Sequence, residues 1–234
     1  MAIGIGIGLA FAGSVKPWSP SDESPEMWLR ASAADVVLAG ADVTTWTDRS
    51  ANGHTATEAA ARPSFVASHA ALGNQPAVLF AAGEKMSAIA GASPAPNDWT
   101  YLAVIDVPLR VANRTDIIHD GPGGIVVNYQ LSGDFTGYSH WPDGVQSIVP
   151  AINGPQVLVW TLRQATSTGN LYRNGALQGA GTYSVQDSCL DAGAALVMVG
   201  ASDMYIAELA IFPGVFDAAK LAKLHAYVHG RYGV

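Results

Sequence analysis

The chain has 234 residues, 49% of them hydrophobic and 13% charged, with a formal net charge of −7. A chain this apolar can bury enough surface to offset its ordering entropy, which excludes intrinsic disorder. Lys and Arg are scattered singly, which excludes the clustered cations that a nucleic-acid partner needs.

The first fourteen residues, "MAIGIGIGLAFAGS", alternate Ile3, Ile5, Ile7, Leu9 and Phe11 with small residues. In an extended segment those five side chains share one face, with Gly4, Gly6 and Gly8 on the other. No Lys or Arg precedes the apolar run and glycines interrupt it, which argues against a signal peptide, although Ala10-Phe11-Ala12 imitates a cleavage site. Glycine disfavours an isolated strand but permits close backbone approach. Such a segment is suited to slot as an added strand into a neighbouring subunit, and Ile3, Ile5, Ile7, Leu9 and Phe11 are the expected docking residues. The stretch "SVKPWSPSDESPE" follows, where Pro17, Pro20 and Pro25 block helix formation. Residues 1–26 therefore read as an attachment arm with a Pro-rich linker, and residues 27–234 as one domain without internal repeats. The low share of charge suits a surface partly covered by partners, and membrane insertion is not expected, because no apolar run reaches the roughly 18–20 residues that span a bilayer.

Short strands broken by turn residues fill the domain. "QPAVLF" is a compact apolar run. "WTYLAVIDV" is apolar at both alternating sets of positions, as expected of a strand buried on two faces. "GGIVVNYQLS", "QVLVWTLRQ", "NLYRNGALQG", "AALVMVGA" and "MYIAELAIF" follow, separated by Gly, Pro, Asn or Asp. Asn174-Gly175 signals a type I′ hairpin, in which both central residues take positive φ. Trp46 and Trp160 fall on strands and are expected in the core. One helix closes the chain: Asp217 is a good N-cap, Leu221, Leu224 and Val228 form an apolar stripe, and Gly230 is the expected end. Evenly spaced strands with one terminal helix predict an all-β, antiparallel two-sheet jelly-roll sandwich.

Four blocks in order carry a family resemblance. "MWLRASAADVVLAGADVTTWTDRSANGHTATEAAARPSFV" holds an apolar strand and a W-x-D-x-S-x-x-G-H turn made of Trp46, Asp48, Ser50, Gly53 and His54. "LGNQPAVLFAAGEKM", "VLVWTLRQATSTGNLYRNGALQG" and "MYIAELAIFPGVFDAAKLAKLHAYVHGRYG" follow. Over residues 27–233 the chain resembles the concanavalin A-like lectin/glucanase superfamily, and within it the laminin-G-like domains of extracellular and phage proteins. The resemblance implies a jelly roll whose concave face or rim loops bind carbohydrate or protein. Members of the superfamily are lectins, glycosidases and adhesion modules, so fold alone does not set function.

Glycoside hydrolysis needs two carboxylates about 5.5 Å apart, which acids four residues apart on one strand supply. "MYIAELAIF" has only Glu208, with Asp203 before it at an odd spacing that puts the two on opposite faces of a regular strand. No catalytic residues are assigned, and the protein is not expected to be an enzyme. His54 is expected to bond within its turn, and His225 and His229 at the helix end to serve capping rather than metal binding. The single Cys189 permits neither an intrachain disulfide nor a cysteine metal site.

The segment "YQLSGDFTGYSHWPDGVQS" has the composition of a sugar site. Phe135, Tyr138, His140 and Trp141 can stack on sugar C–H faces, while Asp134 and Asp143 can bridge hydroxyls. No cofactor is expected; Ca²⁺ at Asp134 or Asp143 would need further oxygen ligands. The opening arm also resembles the attachment segments of small phage tail and capsid proteins. The chain is thus read as a bacteriophage virion protein present in several copies, tail- or capsid-attached. Its arm joins other virion proteins and its lectin-like domain meets host-surface glycan. A secreted bacterial carbohydrate-binding module is the alternative, and a glycoside hydrolase the third reading.

Overall fold

The computed structural model describes residues 16–89, 98–108, 114–120, 125–130, 135–140, 149–150, 152–166, 168–182, 195–199 and 203–234. In chain order the strands are β1 (Met27–Arg30), β2 (Val36–Ala39), β3 (Asp42–Trp46), β4 (Ala56–Thr57), β5 (Ser64–His69), β6 (Gln75–Phe80), β7 (Lys85–Ile89) and β8 (Trp99–Val107). They continue as β9 (Arg114–Asp120), β10 (Ile125–Gln130), β11 (Phe135–His140), β12 (Val149–Pro150), β13 (Gly154–Arg163), β14 (Thr168–Arg173), β15 (Ala176–Thr182), β16 (Ala195–Val199) and β17 (Met204–Pro213). Helix α1 (Ala218–Tyr232) closes the chain.

All pairings are antiparallel and form two layers. The first runs β5-β6-β17-β8-β13-β14-β15, with β1 alongside the second half of β17. The second runs β2-β3-β4-β7-β16-β9-β10-β11-β12. A single pair, Asp42 with Ser64, links them at one edge. This is the expected all-β sandwich with a C-terminal helix.

The first layer is covered on both faces, as the two-sided apolar text of "WTYLAVIDV" requires. Tyr101, Ala103, Ile105 and Val107 join Trp46, Met86, Trp160 and Leu209 in the core between the layers. Leu102 and Val104 face the opposite way, into a second cluster with Val159, Phe212, Leu221, Leu224 and Val228. Every residue of β8 is buried. Each large apolar side chain so sequestered contributes roughly 1.5–3 kcal/mol, so the helix is an integral cover of that sheet. Trp46 and Trp160 are fully buried.

Three local details matter. Asn174 (φ 47°) and Gly175 (φ 84°) both adopt the left-handed backbone that their turn demands. Asp217 caps α1, its carboxylate accepting the Lys220 N–H at 2.8 Å. The helix, however, passes Gly230 and ends at Gly233 (φ 72°), whose N–H donates to the His229 carbonyl at 2.9 Å. The extra turn carries Tyr232 into the second cluster, where burial outweighs the stop signal of Gly230.

Residues 16–26, read from composition as linker, lie against the domain. Trp18 meets the edge of Tyr227 at 5.8 Å between centroids, Glu23 pairs with Lys220 at 2.6 Å, and the Glu26 N–H donates to the Ile211 carbonyl at 2.7 Å. Ile3, Ile5, Ile7, Leu9, Phe11 and Cys189 lie outside the described residues. No helix among the described residues is long and apolar enough to cross a membrane.

Candidate functional site

Asp48 organises one rim of the sandwich. A single bridge pairs it with Leu29 on β1. Its Oδ1 accepts the backbone N–H groups of Trp28 (2.8 Å) and Ser50 (2.9 Å); its Oδ2 accepts the Ser50 hydroxyl (2.5 Å) and the His54 N–H (2.7 Å). Gly53, at φ 76°, turns the chain so that His54 can reach back. The His54 ring Nε2 then sits 2.9 Å from Glu26 Oε1, and Asn52 Nδ2 donates to Glu26 Oε2 (3.1 Å) and to its carbonyl (3.0 Å). The W-x-D-x-S-x-x-G-H turn is therefore a clasp that closes residue 26 onto residues 48–54. The His54 backbone N–H bonds within the turn, as expected, but its ring reaches outside it to Glu26.

Beside the clasp opens a cleft of about 370 Å³ lined by Ser21, Ser24, Pro25, Arg49, Ser50, Ala51 and Asn52. Arg49 is held firmly in its wall. Nη1 donates to both carboxylate oxygens of Asp35 at 2.8 Å, and the guanidinium carbon lies 4.8 Å from the centre of the Trp28 ring. Asp35 is itself fixed by the Ser32 hydroxyl at 2.5 Å. Hydroxyls, an amide and a cation beside the small apolar surfaces of Pro25 and Ala51 make a lining suited to a polyol.

A second polar cluster lies under α1. Glu208 is fully buried yet accepts from Trp28 Nε1 (2.6 Å), Tyr232 Oη (2.6 Å) and Tyr227 Oη (3.0 Å). Burial is the dominant influence and holds its carboxyl above the ordinary value, against the pull of those three bonds and of Arg231. The same burial, with the Glu208 charge, raises both tyrosines. Glu208 reaches this place through a β-bulge: the register with β8 shifts between Ile206 and Glu208. Ile206 and Leu209 face the inter-layer core, while Ala207 packs toward the helix on the same side as Glu208. The bulge corrects the parity expectation for Asp203 and Glu208, since an odd spacing no longer separates faces. Asp203 nonetheless precedes β17 and is exposed, whereas Glu208 is sealed.

A third pair joins His69 and Asp106 at 2.6 Å, the imidazole stacked on Tyr205 at 4.0 Å between centroids. Sequence offered no signal for it, because three elements supply the residues. The histidines of α1 go separate ways: His229 Nδ1 lies 3.3 Å from the Val234 carbonyl, and the His225 ring lies 3.6 Å from where a Cβ on Gly175 would sit.

Among the residues expected to bind sugar, Phe135, Tyr138 and His140 belong to β11. Backbone register places them opposite Gln130, Val127 and Ile125, and Phe135 also opposite Pro150. The described part of that segment, residues 135–140, is a strand. Asp134, Trp141 and Asp143 lie outside the described residues. Arg49, Asn52, Ser24 and Glu26 were missed, although the turn motif encloses the first two; what sequence lacked was the fold that brings Ser24 and Glu26 to them.

No protein-family model matches the chain, and no curated protein matches it by sequence. Solved structures do resemble it in fold. The binding domain of Botulinum neurotoxin serotype D is 11% identical with a TM-score of 0.61, over 89% of this chain and 51% of that one. The binding domain of Paraclostridial Mosquitocidal Protein 1 is 11% identical with a TM-score of 0.63, over 87% and 52%. Trypanosoma rangeli sialidase, in complex with sialic acid, is 13% identical with a TM-score of 0.55, over 85% and 32%. This chain spans about half the length of the toxin binding domains and a third of the sialidase.

Proposed function

We propose that this chain is a non-enzymatic bacteriophage virion protein whose lectin-like sandwich binds host-surface carbohydrate. The observation that carries the binding reading is the rim cleft: a small recess with hydroxyls, an amide and a pinned arginine, beside a sheet whose central strands β17, β8 and β13 are covered on both faces. The likeness in fold to toxin binding domains and to a sialidase that holds sialic acid supports a carbohydrate role.

Binding rather than hydrolysis is supported by the state of the acids at the rim and beneath α1. Hydrolysis needs one carboxylate free to attack and another free to give a proton. Asp48 accepts four hydrogen bonds, Glu26 is engaged by His54 and Asn52, and Glu208 is closed off beneath α1. The virion part of the proposal rests on the opening arm, where Ile3, Ile5, Ile7, Leu9 and Phe11 would add a strand to a neighbouring subunit. Several copies on one particle would raise avidity above that of a weak single site.

A glycan array probed with the full chain tests the carbohydrate reading, and the expected result is retention of a related set of glycans without their cleavage. A blank array ends it. Tyr138→Ala with Trp141→Ala addresses the aromatic segment: cell-surface adsorption should weaken while the melting temperature holds. Unchanged adsorption removes that segment from the binding surface.

A further inference from the structure

Resting on the carbohydrate reading, we infer that the rim cleft takes a sugar bearing a carboxylate, gripped by the Nε–Nη2 edge of Arg49. The guanidinium presents a side edge, Nε with Nη2, whose two parallel N–H groups match a carboxylate. In this chain the partnership with Asp35 runs through Nη1 alone. Among the described residues the Nε–Nη2 edge donates no hydrogen bond, in an arginine that lines an open cleft.

The arginine is also preorganised, so little side-chain entropy remains to be lost on binding. Its backbone N–H donates to the Trp28 carbonyl at 2.7 Å, and its guanidinium lies on the Trp28 ring. Trp28 is fixed in turn by Asp48 through its backbone and by Glu208 through its indole. Asp35 neutralises much of the Arg49 charge, so selection comes from the shape of the fork more than from long-range attraction. In the same cleft, Ser24 Oγ and Asn52 Oδ1 make no hydrogen bond within the described chain and can meet sugar hydroxyls. Asp48 and Glu26 stand close by as acids, but their oxygens are occupied by the clasp. The cleft volume, about 370 Å³, suits one sugar ring.

Methyl β-glucuronide and methyl β-glucoside differ in the carboxylate alone and form the probe pair for titration of the full chain by heteronuclear NMR. The glucuronide should bind at least about tenfold more tightly, as one bidentate charge-assisted contact warrants, and should move the Arg49 Nε–H resonance and the amides of residues 21–25 and 49–52. Arg49→Lys keeps the charge but lacks the fork, and should erase the preference. Ser24→Ala touches no hydrogen bond of the fold and should weaken both sugars alike while leaving the melting temperature unchanged. Equal binding of the two sugars, shifts located elsewhere, or a preference that survives Arg49→Lys would each overturn the inference. If neither sugar binds while the array retains glycans, the acidic-sugar site is wrong and the carbohydrate reading stands; if the array is blank as well, both fall.

Discussion

Two buried carboxylates hold this domain together in different ways. Asp48 works through the backbone: replacing it with Ala strands the N–H groups of Trp28, Ser50 and His54 at a site only 8% exposed. A loss of about 2–4 kcal/mol in unfolding free energy is expected by urea denaturation, and Asp48→Asn, which keeps one acceptor, should lose less. Glu208 works through side chains, and Glu208→Ala leaves an indole and two phenols without an acceptor beneath the helix, a cost of about 3–5 kcal/mol. Its titration has a definite sign. A carboxyl whose pKa rises on folding holds its proton more tightly in the folded chain. Its stabilising contribution is therefore whole below the ordinary value of 4.5 and is lost as pH climbs through the raised one. Glu208→Gln stays neutral throughout, so its stability relative to the natural chain should improve as pH increases from about 4 to about 8, followed by urea unfolding. A pH-independent difference would mean that folding does not raise the Glu208 carboxyl.

Elements were legible in the sequence wherever local chemistry decides them. The bounds of β6 and β8 coincide with "QPAVLF" and "WTYLAVIDV", because turn residues flank apolar runs of strand length. Asn174-Gly175 marked its hairpin, since few other pairs accept two positive φ angles. The Asp217 cap and the Leu221, Leu224, Val228 stripe marked the helix. Hidden were features that a distant element imposes. The bulge at Ala207-Glu208 exists because Glu208 has partners at residues 28, 227 and 232. Its faint trace was a lone acid in an apolar strand. The helix outran Gly230 for the same reason, Tyr232 being held by Glu208. If α1 is an integral cover, truncating its stripe will be costly: Leu224→Ala, at a fully buried position, should lose about 2–5 kcal/mol. Leu177→Ala, on the exposed side of β15, should stay within about 0.5 kcal/mol. Similar losses at both sites would contradict the helix-on-sheet packing.

At the scale of the molecule, strand count and spacing announced a sandwich, but the rim cleft could not be read in advance. Its lining comes from residues 21–25 and 49–52, and its arginine is aimed by Asp35 and Trp28. Only closure of the Glu26–Asp48–His54 clasp brings these together. The clasp also bears on where the folded unit starts. Trp18, Glu23 and Glu26 are bonded to α1, β17 and the turn, so the domain's own contacts reach back well into the Pro-rich stretch. An arm that serves a neighbouring subunit must then lie further toward the N-terminus, where the Ile/Gly alternation is found. If the proposed docking holds, deleting residues 2–12 should leave a folded, β-rich chain with an unchanged melting temperature that binds glycans as the full chain does and no longer enters the assembly, scored by co-sedimentation with particles. Deleting residues 2–26 removes the Glu26 and Trp18 contacts as well and should lower the melting temperature. Unfolding after the shorter deletion would assign the alternating segment to the sandwich itself, and with that the attachment role would fall.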